Sequence, residues 1–289
     1  MAHMAIATPG RPTRTPPPGG GVRAGARRAP SCGGAAAREA AGLGWEAAGP
    51  VTGEPIIFLH GAVMTRSQWC LQVERFAAAG YRCISVDLPG HGVLADQPFT
   101  MDAAVQHVTE VIDRVAGGRA VLVGLSLGGY VAMTLAGRSP ARVRGLVLAG
   151  STHEPGGPSR AAFWFVGTGL GIAPEPILRA MVGWLWTRRY GPDVTRVLLA
   201  KGYYARGGGA AIRVLAGGGF RERLRAYGGP VLVINGNLDL PFRLGEERFL
   251  EGVDGVTRRR LAWAAHLSNL DRPEDFSNEV EGFIQALAP

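Results

Sequence analysis

The segment AVLVGLSLGGYVAMTLAG, residues Ala120 to Gly137, holds a serine between glycines where an apolar run meets a helical pattern. The run predicts a strand that ends at Gly124, followed by a helix that begins within two residues of Ser126. A serine on so sharp a turn has a strained backbone, and only small residues two positions away, here Gly124 and Gly128, let strand and helix approach closely. This geometry favours a nucleophilic serine, with the next amide, that of Leu127, directed at a developing oxyanion.

Other apolar runs rich in β-branched residues also end in Gly or Asp, and helical patterns lie between them. Continuous apolar runs of this kind are typical of parallel strands that are buried on both faces. We therefore expect an α/β fold with a mostly parallel, doubly wound sheet, and GLGWEAAG before the first strong run predicts an antiparallel edge strand. The runs are Ile56–Gly61, Cys83–Gly90, Leu146–Gly150 and Val231–Gly236.

The alternation of strands and helices stops between residues 151 and 229. This stretch contains three of the six tryptophans, Trp164, Trp184 and Trp186. We interpret it as a helical lid that emerges from the carboxyl edge of the sheet, where ligands bind in such folds. The chain then divides into a tail (1–34), a core (35–150 and 230–289) and the insertion (151–229).

The basic character of the chain lies mostly in the tail. The net charge is +8, and six arginines precede the first acidic residue, Glu39, so only +2 remains for the rest. The tail is rich in Pro, Gly, Ala and Arg, which predicts disorder, and we expect no nucleic-acid partner. No apolar run approaches the roughly 18 residues of a membrane span. The odd number of cysteines, without metal-ligand spacing, indicates no metal site and a reducing cytoplasm; the cysteines are Cys32, Cys70 and Cys83.

Two residues near the C-terminus fit as partners of the serine. A serine hydroxyl is a weak nucleophile that needs a base, which a carboxylate in turn orients. Asp239 follows the strand VLVING, and His266 follows a further predicted strand, Thr257–Trp263. The order Ser, Asp, His is the one that an α/β architecture with this serine turn uses.

Together these motifs resemble the α/β-hydrolase fold superfamily in its esterase and lipase-like branch. The resemblance rests on GLSLGG, on the His60–Gly61 pair, on DLPGHG (Asp87–Gly92), on GNLD and on AHLSNLDRPEDF. It implies that Ala62 donates the second oxyanion amide, that His60 supports this loop and that His91 is structural. Because some relatives place the acid after the sixth strand, Glu154 is the alternative to Asp239.

The expected function is a serine hydrolase that cleaves a small apolar carboxylic ester or lactone without metal or cofactor. The same triad supports acyl transfer, C–C bond hydrolysis and perhydrolysis, and a non-catalytic member that binds an apolar ligand is a further alternative. The aromatic residues of the insertion either pack the lid or line the substrate pocket. The candidate substrate contacts are His153, Trp164, Trp184 and Trp186.

Overall fold

An eight-stranded sheet organises the part of the chain that the structure, a computed structural model, describes, namely residues 38–39 and 43–287. The strand order is β1-β2-β4-β3-β5-β6-β7-β8, with β1 and β2 antiparallel to their neighbours and the other strands parallel. The predicted disordered tail lies outside the described residues. The strands are β1 Arg38–Glu39, β2 Trp45–Ala48, β3 Pro55–Leu59, β4 Arg82–Val86, β5 Ala120–Leu125, β6 Val143–Ala149, β7 Val231–Gly236 and β8 Val256–Leu261.

The central strands are buried on both faces, as their continuous apolar runs predict. Successive residues of a strand point to opposite faces, so Ile57 and Leu59 join the core on one side of the sheet and Ile56 and Phe58 join the core on the other. Helices cover both sides, which confirms the doubly wound α/β fold. They are α1 Cys70–Ala78, α2 Met101–Val115, α3 Leu127–Arg138, α4 Arg160–Ile172, α5 Glu175–Tyr190, α6 Pro192–Ala200, α7 Ala205–Leu215, α8 Phe220–Tyr227, α9 Leu240–Leu244, α10 Glu246–Leu250, α11 Ser268–Asp271 and α12 Pro273–Ala286.

The strand boundaries differ from the predictions at both ends of the sheet. The segment GLGWEAAG does supply an antiparallel strand, β2, but β1 pairs with its outer side, so β2 is not the edge. Strand β8 ends at Leu261 rather than at Trp263, because Trp263 has a positive φ of 62° and turns the chain. The Trp263 amide donates to the Asn237 side chain at 2.8 Å.

The insertion contains two kinds of helix. Helices α7 and α8 contribute buried residues such as Leu215, Phe220 and Leu224 to the core of the sheet domain, whereas α4 and α5 are mostly exposed. In the described part of the chain, no single helix is long and apolar enough to cross a membrane. The pair Gly157–Ile172 and Glu175–Tyr190 meets that length and composition only when taken together, with a bend of 104°.

Candidate active site

Ser126 occupies a strained turn at the carboxyl end of β5. Its φ of 52° and ψ of −115° lie outside the regions that residues with a side chain normally adopt. The tightness of the turn requires small neighbours: a Cβ on Gly124 would lie 2.5 Å from the carbonyl carbon of Gly128, and a Cβ on Gly128 would overlap the Leu59 carbonyl. The serine is half-buried, and its amide donates to the Ala149 carbonyl at 2.8 Å.

Asp239 and His266 form a hydrogen-bonded pair at the same edge of the sheet. The neighbouring strands β7 and β8 end beside each other, and the loops that follow them bring His266 Nδ1 to 2.8 Å from Asp239 Oδ2. The Asp239 side chain is only 5% exposed, whereas the His266 side chain is 38% exposed. An ionised carboxylate only accepts hydrogen bonds, so Asp239 holds the proton of His266 on Nδ1 and leaves the Nε2 lone pair available as a base.

Gly150 joins the serine turn to this pair. It directly follows Ala149, which accepts the Ser126 amide, and its own amide donates to the buried Asn235 side chain at 3.0 Å. A Cβ on Gly150 would lie 2.9 Å from His266 Nδ1 and 3.2 Å from Asp239 Oδ2. The backbone beside Ser126 is therefore in contact with the Asp–His pair. Ser126 Oγ itself has no hydrogen-bond partner among the described residues.

We name residues 60–64 the oxyanion loop, after the predicted role of the Ala62 amide, and this loop passes close to the serine turn. The Gly61 amide donates to Gln68 Oε1 at 2.8 Å, and a Cβ on Gly61 would lie 3.8 Å from the Ser126 Cβ. On the other side of the loop, the carbonyl of Ala62 contacts His91 Nε2. Neither the Ala62 amide nor the Leu127 amide has an acceptor in the described part of the chain, so both can donate to a ligand.

His60 and His91 support the loop from beneath. His60 Nδ1 donates to the Gly61 carbonyl at 2.8 Å, and its Nε2 accepts the Leu88 amide at 3.0 Å. Burial, aided by the nearby His91, lowers the pKa of His60 well below its usual value, and burial likewise lowers the pKa of His91. Since both ring nitrogens of His60 are occupied by the backbone, this histidine has none left to accept a proton from Ser126.

The alternative acid, Glu154, serves a different contact. Its two carboxylate oxygens accept the backbone amides of Gly219, Phe220 and Arg221 at 2.9 to 3.2 Å, at the N-terminus of α8. A carboxylate at this end of a helix satisfies amides that have no partner within the helix. His266 bonds to Asp239 instead.

Phe242 is a part of the site that the sequence did not reveal. It lies one helical turn after Asp239, on α9, and its ring stacks on His266 with centroids 4.9 Å apart and an interplanar angle of 25°. The Phe242 ring also contacts the His153 ring, edge to face, with centroids 6.3 Å apart. The candidate substrate contact His153 and His266 thus both contact the Phe242 ring, and His153 Nε2 lies 2.7 Å from Ser159 Oγ.

The three candidate tryptophans have different surroundings. Trp186 is buried in a cluster with Met64, Leu198 and Leu270, so the cluster that contains it includes the last residue of the oxyanion loop. Trp164 and Trp184 are 49% and 59% exposed. In the part of the chain that the structure describes, neither makes a side-chain hydrogen bond or a ring contact with Ser126, Asp239 or His266. Within the described residues, no group of three or more His, Cys, Asp and Glu side chains is arranged to hold a metal ion.

The fold and this arrangement agree with a family match. The sequence pattern of the alpha/beta hydrolase family matches residues 56–279, which is more than half of the chain, and the chain belongs to this family. The matched region contains all three residues of the predicted triad.

Relatives of several activities resemble the chain. It is 25% identical to 3-oxoadipate enol-lactonase 1 of Acinetobacter baylyi, over 83% of this chain and 91% of that one. It is 42% identical to a pimeloyl-[acyl-carrier protein] methyl ester esterase of Nitrosomonas europaea, over 35% of this chain and 38% of the relative. For this esterase and three other curated relatives, the match spans only 36% to 47% of their length.

Solved structures share the fold. One from work on carboxylesterases of the thaumarchaeon Nitrososphaera gargenis has a TM-score of 0.73 and 18% identity, and the match covers 84% of this chain and 94% of the other. At this level of identity the likeness concerns the fold alone.

Proposed function

We propose that the protein is a serine hydrolase that cleaves a carboxylic ester or lactone through an acyl-enzyme. The observation that carries the proposal is the buried Asp239 carboxylate 2.8 Å from His266 Nδ1, beside a serine with a strained backbone. This is the constellation by which a weak hydroxyl nucleophile becomes reactive.

In the first half of the reaction, His266 Nε2 takes the proton of Ser126 Oγ as the oxygen attacks the substrate carbonyl carbon. The Ala62 and Leu127 amides hold the negative oxygen of the tetrahedral intermediate. His266 then gives its proton to the leaving alkoxide, and the carbon–oxygen bond of the ester breaks. Asp239 stabilises the imidazolium that exists between these two proton transfers.

In the second half, water replaces the alcohol. His266 Nε2 takes a proton from the water as its oxygen attacks the acyl carbon, and the same two amides hold the second oxyanion. The proton returns to Ser126 Oγ when the acyl–serine bond breaks, which releases the carboxylic acid. A lactone follows the same course, with its alcohol and acid in one product.

Two of the relatives support ester and lactone substrates. One relative is named an enol-lactonase and another a methyl ester esterase, and both names describe attack on an oxygen ester. Of the candidate tryptophans, we place Trp186 nearest the substrate pocket, because it belongs to the same buried cluster as Met64, the last residue of the oxyanion loop.

The test compares p-nitrophenyl acetate and a simple γ-lactone as substrates of the wild type and of Ser126→Ala. We expect turnover of both, with a loss on the order of 10⁶-fold in the variant, because the triad acts as a unit. The matched control is Ser151→Ala, a buried serine one residue beyond Gly150, which should keep most of the activity. A Ser126→Ala variant with more than a tenth of wild-type turnover would contradict the proposal.

A further inference from the structure

Helices α4 and α5 carry large apolar side chains that the fold leaves in solvent. Every residue of the two helices is described, and only Gly167 and Trp186 among them are buried. A helix that is apolar around its whole circumference is normally covered by protein or by lipid, and α4 has no charged residue after Arg160. We define the cap face as the exposed apolar side chains of both helices: Trp164, Phe165, Val166, Ile172, Ile177, Met181, Trp184 and Leu185.

The members of the cap face on α5 form one stripe. Ile177, Met181, Trp184 and Leu185 are spaced by four, three and one residues, which places them on the same side of a helix. They are 51% to 65% exposed. Arg188 continues the stripe by one turn, with its guanidinium carbon 4.3 Å from the centroid of the Trp184 ring. The stripe is thus apolar along its length and basic at its end.

The shape of the helix pair suits the surface of a bilayer. The segments Gly157–Ile172 and Glu175–Tyr190 have together the length and composition of a membrane span, but a bend of 104° separates them. Two helices at nearly a right angle do not form one straight rod through a bilayer. Apolar helices with basic flanks can lie in the interfacial plane, with their apolar side chains among the headgroups and upper acyl chains.

The charge of the helix pair selects the kind of surface. Residues 157–190 contain four arginines and one glutamate, and the glutamate, Glu175, accepts the Ala205 amide at 3.1 Å. Of the arginines, Arg160, Arg179 and Arg188 form no ion pair within the described residues, so their charges are available to anionic headgroups. The N-terminal tail, residues 1–34, contains five arginines and no acidic residue. Both this tail and a second copy of the cap face would therefore bring like charge against it.

We propose that the cap face binds the surface of a membrane that contains anionic lipid, with Trp164, Met181 and Trp184 inserted at the level of the headgroups. This binding is independent of the chemistry at Ser126 and would persist in the Ser126→Ala variant. The proposal gives the cap face, which the rest of the fold leaves in solvent, a lipid partner.

The first experiment measures tryptophan fluorescence of the full chain on vesicles of phosphatidylcholine and phosphatidylglycerol whose acyl chains are brominated. We expect quenching relative to unbrominated vesicles, and a smaller quenching in the Trp164→Phe and Trp184→Phe variants. The matched control is Trp263→Phe, since Trp263 is 73% exposed but lies outside the cap face. Residues 1–44 contain no tryptophan, since the first tryptophan of the chain is Trp45. Contact of the tail with lipid therefore produces no quenching from the tail itself.

The second experiment measures partitioning onto the same vesicles by sedimentation. Met181→Glu should lower the partition coefficient about tenfold. The reason is that burying one apolar side chain of this size in lipid contributes roughly the free energy that corresponds to a tenfold change in an equilibrium constant. Val51→Glu, a charge at a site that is 79% exposed near the opposite edge of the sheet, should leave partitioning unchanged.

Three results would overturn the proposal. The first is the absence of quenching, and the second is quenching that Trp164→Phe and Trp184→Phe leave intact. The third is a concentration-dependent oligomer in solution that Met181→Glu abolishes, because the cap face would then be an interface between copies of the chain.

Discussion

The contact between Gly150 and the Asp–His pair gives a sharp test of the site geometry. In Gly150→Ala, the new Cβ would lie 2.9 Å from both Cε1 and Nδ1 of His266, whereas ordinary contacts of a Cβ begin near 3.4 Å. The imidazole must therefore move by about 0.5 Å, away from the position that Asp239 holds. Since a displacement of about 1 Å in an active site can cost ~100-fold in rate, we expect kcat/KM to fall about tenfold or more.

The backbone strain of the same substitution needs its own control. Gly150 has φ of 54° and Gly157 has φ of 58°, but a Cβ on Gly157 meets no atom within 4 Å. Both alanine variants should lose roughly 1–2 kcal/mol of unfolding free energy from the left-handed conformation, measured by urea denaturation. Only Gly150→Ala should lose activity towards p-nitrophenyl acetate. Equal kcat/KM in the two variants would refute the contact between Gly150 and the Asp239–His266 pair.

Three further predictions concern other parts of the site. Asp239→Asn should lower kcat about 10⁴-fold, because the amide favours the wrong tautomer of His266. Glu154→Gln should mainly lower the melting temperature, because it weakens the hydrogen bonds from the first amides of α8. A larger loss of kcat in Glu154→Gln than in Asp239→Asn would contradict Asp239 as the acid. Burial lowers the pKa of His60 in the folded state, so the unfolded chain takes up a proton at this histidine first. The stability that neutral His60 contributes is therefore complete above about pH 6.5 and decreases at lower pH by up to ~1.4 kcal/mol per pH unit. Between pH 7.5 and 5.5, the unfolding free energy from urea denaturation should decrease less steeply in His60→Gln than in the wild type, and equal slopes would contradict this prediction. A Cβ on Gly208 would overlap the Ala62 carbonyl, whereas a Cβ on Gly169 meets no atom within 4 Å. Gly208→Ala should therefore lower kcat on the order of 100-fold, and the control Gly169→Ala should not. Similar kcat values for the two variants would show that α7 moves without displacing the oxyanion loop.

The sequence predicted the sheet well where burial decides local structure. Strands such as Ala120–Leu125 and Val231–Gly236 are buried at every residue, so their apolar runs are continuous and easy to read. Strand β8 is different, since Arg258, Arg259 and Arg260 are all exposed at the sheet edge. Its composition carries no signal of burial, and its end was misplaced by two residues.

The candidate site likewise contains one feature that the sequence specifies locally and others that depend on contacts distant in the chain. The turn at Ser126 is visible in the sequence because its glycines are required by contacts between neighbouring elements. The approach of Asp239 to His266, by contrast, depends on the pairing of β7 with β8, and the stacking of Phe242 on His266 depends on the orientation of α9. These are contacts between residues that are distant in the chain, and no local pattern specifies them.

The proposed reaction requires Ser126 to be an activated nucleophile. We would measure the intact mass of the protein after exposure to a fluorophosphonate, which reacts with activated serines and releases fluoride. We expect a single phosphonyl adduct on the wild type, located at Ser126 by peptide mapping, and none on Ser126→Ala. An unmodified wild type, or an adduct that persists in the variant, would contradict the proposed reaction.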